Sequence, residues 1–215
     1  MCSKIYMPPS ELADEEFRTI LFDRMDGKEC PFTDRELYEE TSRRADLGNS
    51  KMRFLLGSLI YHGIGTEKDI DAADEAWIKS YDDDVEGLQT IAFSHYAGSL
   101  GLDLRRAGDL FCRAADGGGD DYLLLRAADC YLAEYMENKD DSMGVLAFEC
   151  YRNVYPDYID SARGLAICFM YGIGTEVSYD NAAEVLYEAE MGSGRDVTDL
   201  KLLLREVKNR GFFFR

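Results

Sequence analysis

The chain has few of the residues from which catalytic and metal sites are assembled. Its 215 residues include only 2 histidines, 1 tryptophan and 4 prolines. Neither histidine has a cysteine or serine partner at a recognised motif spacing, and the 6 cysteines include no CxxC pair. The sequence therefore predicts no catalytic residue, no cofactor and no metal ion.

Long hydrophobic runs are missing as well. No apolar run is long enough to cross a bilayer. Residues 1–17 combine two prolines with several acids and lack the apolar core of a signal peptide. We therefore expect a cytoplasmic protein that does not enter the membrane, with thiols kept reduced by that compartment. The cysteines expected to be free are Cys2, Cys30, Cys112, Cys130, Cys150 and Cys168.

The charge balance is strongly acidic. The chain has 24 Lys and Arg residues against 42 Asp and Glu residues, which gives a formal net charge of −18. Such a surface repels nucleic-acid phosphates and anionic lipids, which excludes both as main partners, and it favours a basic partner. With 46% hydrophobic and 12% aromatic residues, the composition is that of a folded protein rather than of a disordered acidic tail.

A short glycine motif occurs twice. Gly63-Ile64-Gly65-Thr66-Glu67 returns 109 residues later as Gly172-Ile173-Gly174-Thr175-Glu176. Three repeats of about 36 residues fill that offset, so two degenerate copies are expected between the full ones. In the third of the five copies Leu100 stands where the second glycine should be, and in the fourth Glu134 stands where the first should be.

Small and large apolar residues alternate within each copy at a helical spacing. Ala73, Ala107, Gly144 and Ala182 are each followed four residues later by a large one: Trp77, Phe111, Phe148 and Leu186. Each copy therefore predicts a first helix, a glycine loop and a second helix, here called the A helix and the B helix. Because one such pair cannot bury its apolar face alone, we expect a single all-α domain over 1–215. The expected units are a degenerate repeat at 11–48, repeats at 49–84, 85–119, 120–158 and 159–194, and a capping helix with a tail at 196–215.

These residues resemble the Sel-one-like repeat family, relatives of the tetratricopeptide repeat. The resemblance is clear over 49–194 and loose over the first repeat. Its matching positions in two copies are Leu56, Gly57, Gly63, Gly65, Asp69, Ala73 and Trp77, then Ala162, Leu165, Ala166, Phe169, Gly172, Gly174, Ala182 and Ala189. The resemblance implies an α-solenoid whose A helices line a concave face, and a role as an adaptor that holds other proteins.

One face of the A helices is the candidate partner-binding surface, called here the A-helix stripe. Aromatic side chains alternate on it with isolated charges, which gives apolar anchors and orienting polar groups. Its residues are Lys51, Phe54, Ser58 and Tyr61; Glu86, Gln89, Phe93 and Tyr96; Tyr122 and Asp129; Asp160 and Arg163. The competing interpretation is that aromatic residues such as Phe54 and Phe93 pack against the next A helix as core. His95 takes a position that the family gives to an aromatic residue, so we expect it in the core.

Three functional interpretations follow. The leading one is a non-catalytic scaffold that binds a protein or peptide, preferably basic, in the concave groove. In a variant of it, the acidic surface itself carries the affinity, as in a mimic that blocks a nucleic-acid-binding protein. The alternative is a hydrolase or β-lactam-binding enzyme, argued only by association with cysteine-rich relatives. No Ser-x-x-Lys occurs, so the serine chemistry of penicillin-recognising enzymes has no sequence support.

The C-terminal segment reverses the charge of the rest. Residues 201–215 hold five basic residues against one acidic residue, and three consecutive phenylalanines, Phe212, Phe213 and Phe214, precede Arg215. We predict that these rings either cover the end of the last repeat or dock on an acidic surface of a second copy, which would give a homo-oligomer.

Overall fold

The structure, a computed structural model, is helical throughout the part of the chain that it describes. It describes residues 7–81, 84–155, 160–193 and 196–213, with the side chains of 193 and 210–213 left out. The expected all-α fold is confirmed over these residues, in which helices are the only regular elements. After a short 3-10 turn at Pro9–Glu11 they are α1 (Asp14–Met25), α2 (Asp34–Asp46), α3 (Ser50–His62), α4 (Ile70–Ser80), α5 (Val85–Ala97), α6 (Leu104–Asp116), α7 (Tyr122–Asn138), α8 (Asp141–Val154), α9 (Asp160–Tyr171), α10 (Tyr179–Ser193) and α11 (Thr198–Phe213).

Each B helix begins with a side chain that caps it. The first backbone N–H groups of a helix have no partner within the helix, and a short oxygen-bearing side chain can accept from one of them. Asp69 accepts from Ala72 N at 3.0 Å at the start of α4, and Asp103 accepts from Arg106 N at 2.9 Å at the start of α6. The remaining B helices, α2, α8 and α10, are capped by Thr33, Asp140 and Ser178.

Left-handed residues end the A helices. Gly63 ends α3 and Gly172 follows α9, each with a φ of 70°, a conformation that glycine adopts without steric cost. After α5 the left-handed residues are Gly98 and Gly101, so the loop uses a glycine one position beyond Leu100. In the fourth copy α7 continues to Asn138 and ends at Lys139, which takes a φ of 57° in place of a glycine.

The chain divides into two compact units, the first being Met1–Gly87. In this first unit α3 packs against α1, α2 and α4. Its core comprises Phe17, Leu21, Leu37, Ala45, Met52, Leu55 and Leu59, all buried. The unit is thus a stack of two helix pairs around one apolar core, and the B helix of its second pair adds the buried Trp77.

The second unit is Leu88–Arg215. Consecutive helices from α6 to α11 pack on one another, and α9 also contacts α7 and α11. Contacts between one A helix and the next are those that a stack of helix pairs predicts, and α11 closes the stack against α9 and α10. Whether the two units form the single domain expected from the sequence stays a prediction.

No helix in the described ranges is both long enough and apolar enough to cross a membrane.

Candidate functional site

In the first unit the stripe residues of α3 surround a buried tryptophan. The Trp77 ring lies 6.3 Å from that of Phe54 and 5.6 Å from that of Tyr61, measured between centroids, and its Nε1 donates to Ser58 Oγ at 3.4 Å. Trp77 also lies against Gly57, where an added Cβ would come within 2.6 Å of the indole. These three stripe residues are therefore half-buried by packing on α4.

Lys51 lies instead on the wall of an open cleft in the same unit. The cleft has a volume of about 310 Å³ and lies between the outer side of α1, the start of α3 and the end of α4. The residues that line it are Arg18, Phe22, Ser50, Lys51, Phe54, Leu55, Ser80 and Tyr81. Of the stripe residues, Lys51 and Phe54 thus share a concave site, with a second cation contributed by α1.

In the second unit, two aromatic stripe residues of α5 are exposed. Phe93 is 42% exposed and Tyr96 is 40% exposed, although each makes one defined contact. The Phe93 ring meets the buried Phe111 ring edge-on at 4.8 Å between centroids. The guanidinium of Arg126 lies over the Tyr96 ring, 4.8 Å from its centroid. Their inner faces are held in place while their outer faces remain accessible to a partner.

A connected polar group extends from Tyr96 along α7 to α8. Arg126 Nη1 donates to Asp129 Oδ2 at 3.0 Å, and the buried Tyr151 donates its OH to Asp129 Oδ1 at 2.9 Å. Burial raises the pKa of the Asp129 carboxyl above its usual range, while the bonds from Tyr151 and Arg126 act in the opposite direction. Asp129 therefore contacts two side chains of its own unit and links them.

Arg163 on α9 is a further charged stripe residue of the second unit. Its two terminal nitrogens meet both carboxylate oxygens of Asp199, at 2.6 and 3.3 Å, which joins α9 to α11. This fork-shaped pair lowers the pKa of Asp199. Arg163 thus donates its hydrogen bonds to Asp199 of the capping helix α11. A partner that binds the same guanidinium nitrogens has to displace Asp199.

The remaining stripe residues differ in their exposure. Tyr122 is 44% exposed at the start of α7, and Asp160 is exposed at the start of α9. On α5, Glu86 is exposed and belongs to the first unit, whereas Gln89 is half-buried and belongs to the second. The second unit therefore brings Phe93, Tyr96 and Tyr122 to the A-helix stripe as its accessible rings.

The aromatic tail lies largely outside the described residues. The backbone of α11 includes Phe212 and Phe213, but their side chains and the whole of Phe214 are not described. Self-association through these rings stays a prediction.

His95 and the cysteines are placed as structural residues. His95 is 1% exposed and its Nδ1 faces the carbonyl oxygen of Gly101 at 3.3 Å, so its role is to hold the loop that follows α5. The cysteines in the described ranges are all free. Burial raises the pKa of Cys130 and of Cys168 to about 12, which keeps both thiols protonated. Within the described ranges, no three His, Cys, Asp or Glu side chains are grouped as a metal site.

Several residues of these sites were not anticipated from the sequence. Arg18 and Phe22 come from the degenerate first repeat, where the motif gives no register. Arg126 lies off the stripe positions of α7 and Tyr151 lies on the B helix α8, yet they contact Tyr96 and Asp129. A weak sequence signal could have pointed to Tyr96 and Arg126, because arginine and exposed tyrosine are both common at protein interfaces.

Comparison with known proteins gives a likeness to solved structures. No protein-family model matches the chain, and no curated protein matches it. A Sel1 repeat protein from Oxalobacter formigenes is 19% identical with a TM-score of 0.43, and the match covers 87% of this chain and 76% of that one. A protective antigen of uropathogenic Escherichia coli strains that displays an SLR fold is 20% identical with a TM-score of 0.46. That match covers 91% of this chain but only 41% of the antigen. Both structures have the repeat type that the two glycine motifs of this chain resemble.

Proposed function

We propose that the chain is a non-catalytic interaction scaffold that binds a protein or peptide through its A-helix stripe. The observation that carries the proposal is the set of accessible rings in the second unit: Phe93, Tyr96 and Tyr122 are each between 40% and 44% exposed. Large exposed rings fixed from behind by Phe111 and by Arg126 lose little freedom on binding, which is typical of interface anchors.

The preferred partner is basic. The net charge of −18 favours positively charged proteins and speeds their approach. The rings supply contact area, and the acidic surroundings select the sign of charge on the partner. This division of roles separates the scaffold from a pure charge mimic, in which the rings would be dispensable.

The test is capture from the native lysate with three baits. The wild-type chain and a Val145→Ala/Leu146→Ala control, which truncates two exposed apolar residues of α8, should retain the same proteins. The Phe93→Ala/Tyr96→Ala variant should lose at least about ten-fold of a captured protein, since removal of interface anchors costs 1 kcal/mol or more each. Undiminished capture by this variant, with its helicity intact by circular dichroism, would exclude the stripe as the binding site.

A further inference from the structure

The cleft of the first unit has a charge unlike that of the chain. Arg18 of α1 and Lys51, in the first turn of α3, are the two cations among the described residues that line it, and none of those described residues is acidic. The chain as a whole has 42 acids against 24 bases. Within the described part of the chain, the lining of this cleft is therefore a local exception on an acidic protein.

The two cations differ in their partners. Arg18 Nη1 donates to the exposed Glu15 at 2.9 Å, but Arg18 Nε is shielded from solvent and has no acceptor among the described residues. Lys51 forms no ion pair with any described side chain. Lys51 is therefore the cation whose charge no described side chain offsets, and Arg18 adds a second positive charge that is shared with Glu15.

The rest of the wall is aromatic and aliphatic. Phe22 lies one helical turn after Arg18 on α1, so the two side chains share a face. Phe54 and Leu55 come from α3, and Tyr81 follows the end of α4. The volume of about 310 Å³ is at the lower end of the range of small-ligand pockets, about 300–1,000 Å³.

From this combination we propose that the cleft binds an acidic peptide segment that presents an aromatic side chain beside a carboxylate. The carboxylate meets Arg18 and Lys51, and the ring rests between Phe22 and Phe54. This goes beyond the proposed function, because it assigns a ligand chemistry to the cleft of the first unit, which shares Lys51 and Phe54 with the A-helix stripe, and is tested without a protein partner. The sign of charge is opposite to that favoured by the surface as a whole.

The experiment compares two probes that differ only in charge. N-acetyl-L-phenylalanine carries a phenyl ring and a carboxylate, whereas N-acetyl-L-phenylalaninamide carries the same ring without the charge. Titration of the full chain, followed by NMR chemical shifts, should show the acid binding about ten-fold or more tightly than the amide, because hydrogen bonds to charged groups contribute about 1.5–3 kcal/mol. The preference should shrink at high salt.

Variants locate the preference in the cleft. Arg18→Gln/Lys51→Gln should bind acid and amide alike, and Lys51→Gln alone, at an exposed position that does not threaten the fold, should lose at least about three-fold of the affinity for the acid. Arg35→Gln, at an exposed arginine of α2 outside the cleft, should retain the full preference. The proposal is overturned if the wild-type chain binds acid and amide equally, if it binds neither up to their solubility limits, or if the double variant keeps the preference.

Discussion

At the scale of single residues, the second glycine of the motif is required by a close contact between repeats. Gly65 lies against the start of α2, where an added Cβ would stand 2.1 Å from the carbonyl oxygen of Asp34. Gly174 lies in the same way against α8, 2.3 Å from the carbonyl oxygen of Gly144. In both places the glycine loop of one helix pair contacts the B helix of the preceding pair. The atoms that an added Cβ would meet belong to the backbone, which cannot move away as a side chain can.

Gly65→Ala should therefore destabilise the first unit by more than a left-handed backbone alone explains. The matched control is Gly27→Ala, since Gly27 has a φ of 77° against 76° for Gly65, but nothing lies within 4 Å of its Cβ position. We expect about 1–2 kcal/mol for the control, the cost of a left-handed non-glycine residue, and at least about twice that for Gly65→Ala. Urea unfolding of both variants measures the difference, and equal losses would show that the close contact is not energetically important.

At the scale of elements, aromatic rings of one helix lie on glycines of a neighbouring helix. The Tyr151 ring of α8 covers Gly164 of α9, where an added Cβ would stand 2.2 Å from the ring, and Tyr131 of α7 covers Gly108 of α6 in the same way. Each tyrosine also donates its OH to a carboxylate, Tyr151 to Asp129 and Tyr131 to Asp109. Ring and hydroxyl together fix the position of one helix against its neighbours.

The burial of the Asp129 carboxyl should make the stability of the second unit depend on pH. Burial raises the pKa of Asp129 in the folded state, so protonation favours folding. This contribution is fully present below the ordinary carboxyl pKa of about 4 and is lost as the pH rises through the raised value. Asp129→Asn should show a flatter profile of unfolding free energy against pH over that window.

Tyr151→Phe tests the same interaction from the other side. The Tyr151 hydroxyl lowers the pKa of Asp129, so its removal should move the loss of stability to higher pH and reduce stability by about 1–2 kcal/mol above the transition. Tyr187→Phe, at a tyrosine of α10 that is 58% exposed, is the control and should leave the profile unchanged. A Tyr151→Phe profile that coincides with the wild-type one would contradict the assignment.

The helices themselves were predictable because the repeat provides several independent signals for each pair. The spacing of Ala73 and Trp77, the left-handed Gly63 and the capping Asp69 all agree on where α3 ends and α4 begins. The loop of the fourth repeat was less predictable, because Lys139 adopts there the left-handed backbone conformation that glycine adopts in other loops. The contacts that stripe residues make within the chain could not be predicted from the sequence. The pairing of Arg163 with Asp199 joins residues 36 positions apart, on helices whose relative placement no local pattern encodes.

At the scale of the whole molecule, charge and apolar anchoring act on different steps of partner binding. In the proposed binding, a net charge of −18 would attract a basic partner over several ångströms, whereas the rings of Phe93 and Tyr96 would act only on contact. Long-range attraction raises the association rate, and short-range packing lowers the dissociation rate. The two contributions can therefore be separated by kinetics even before the partner is described structurally.

For a partner identified by capture, we predict that salt and truncation of the rings change different rate constants. Raising the ionic strength from 0.1 to 1 M shortens the Debye length from about 10 to about 3 Å, so the association rate of the wild-type chain should fall while its dissociation rate changes little. Phe93→Ala/Tyr96→Ala should instead raise the dissociation rate at both ionic strengths. Biolayer interferometry of both chains at both salt concentrations gives an association and a dissociation rate constant for each of the four conditions. An association rate that does not change with ionic strength would show that the partner is not basic. If binding is lost at high ionic strength and is unchanged by truncation of the rings, the result would favour the charge mimic, in which the acidic surface alone carries the affinity.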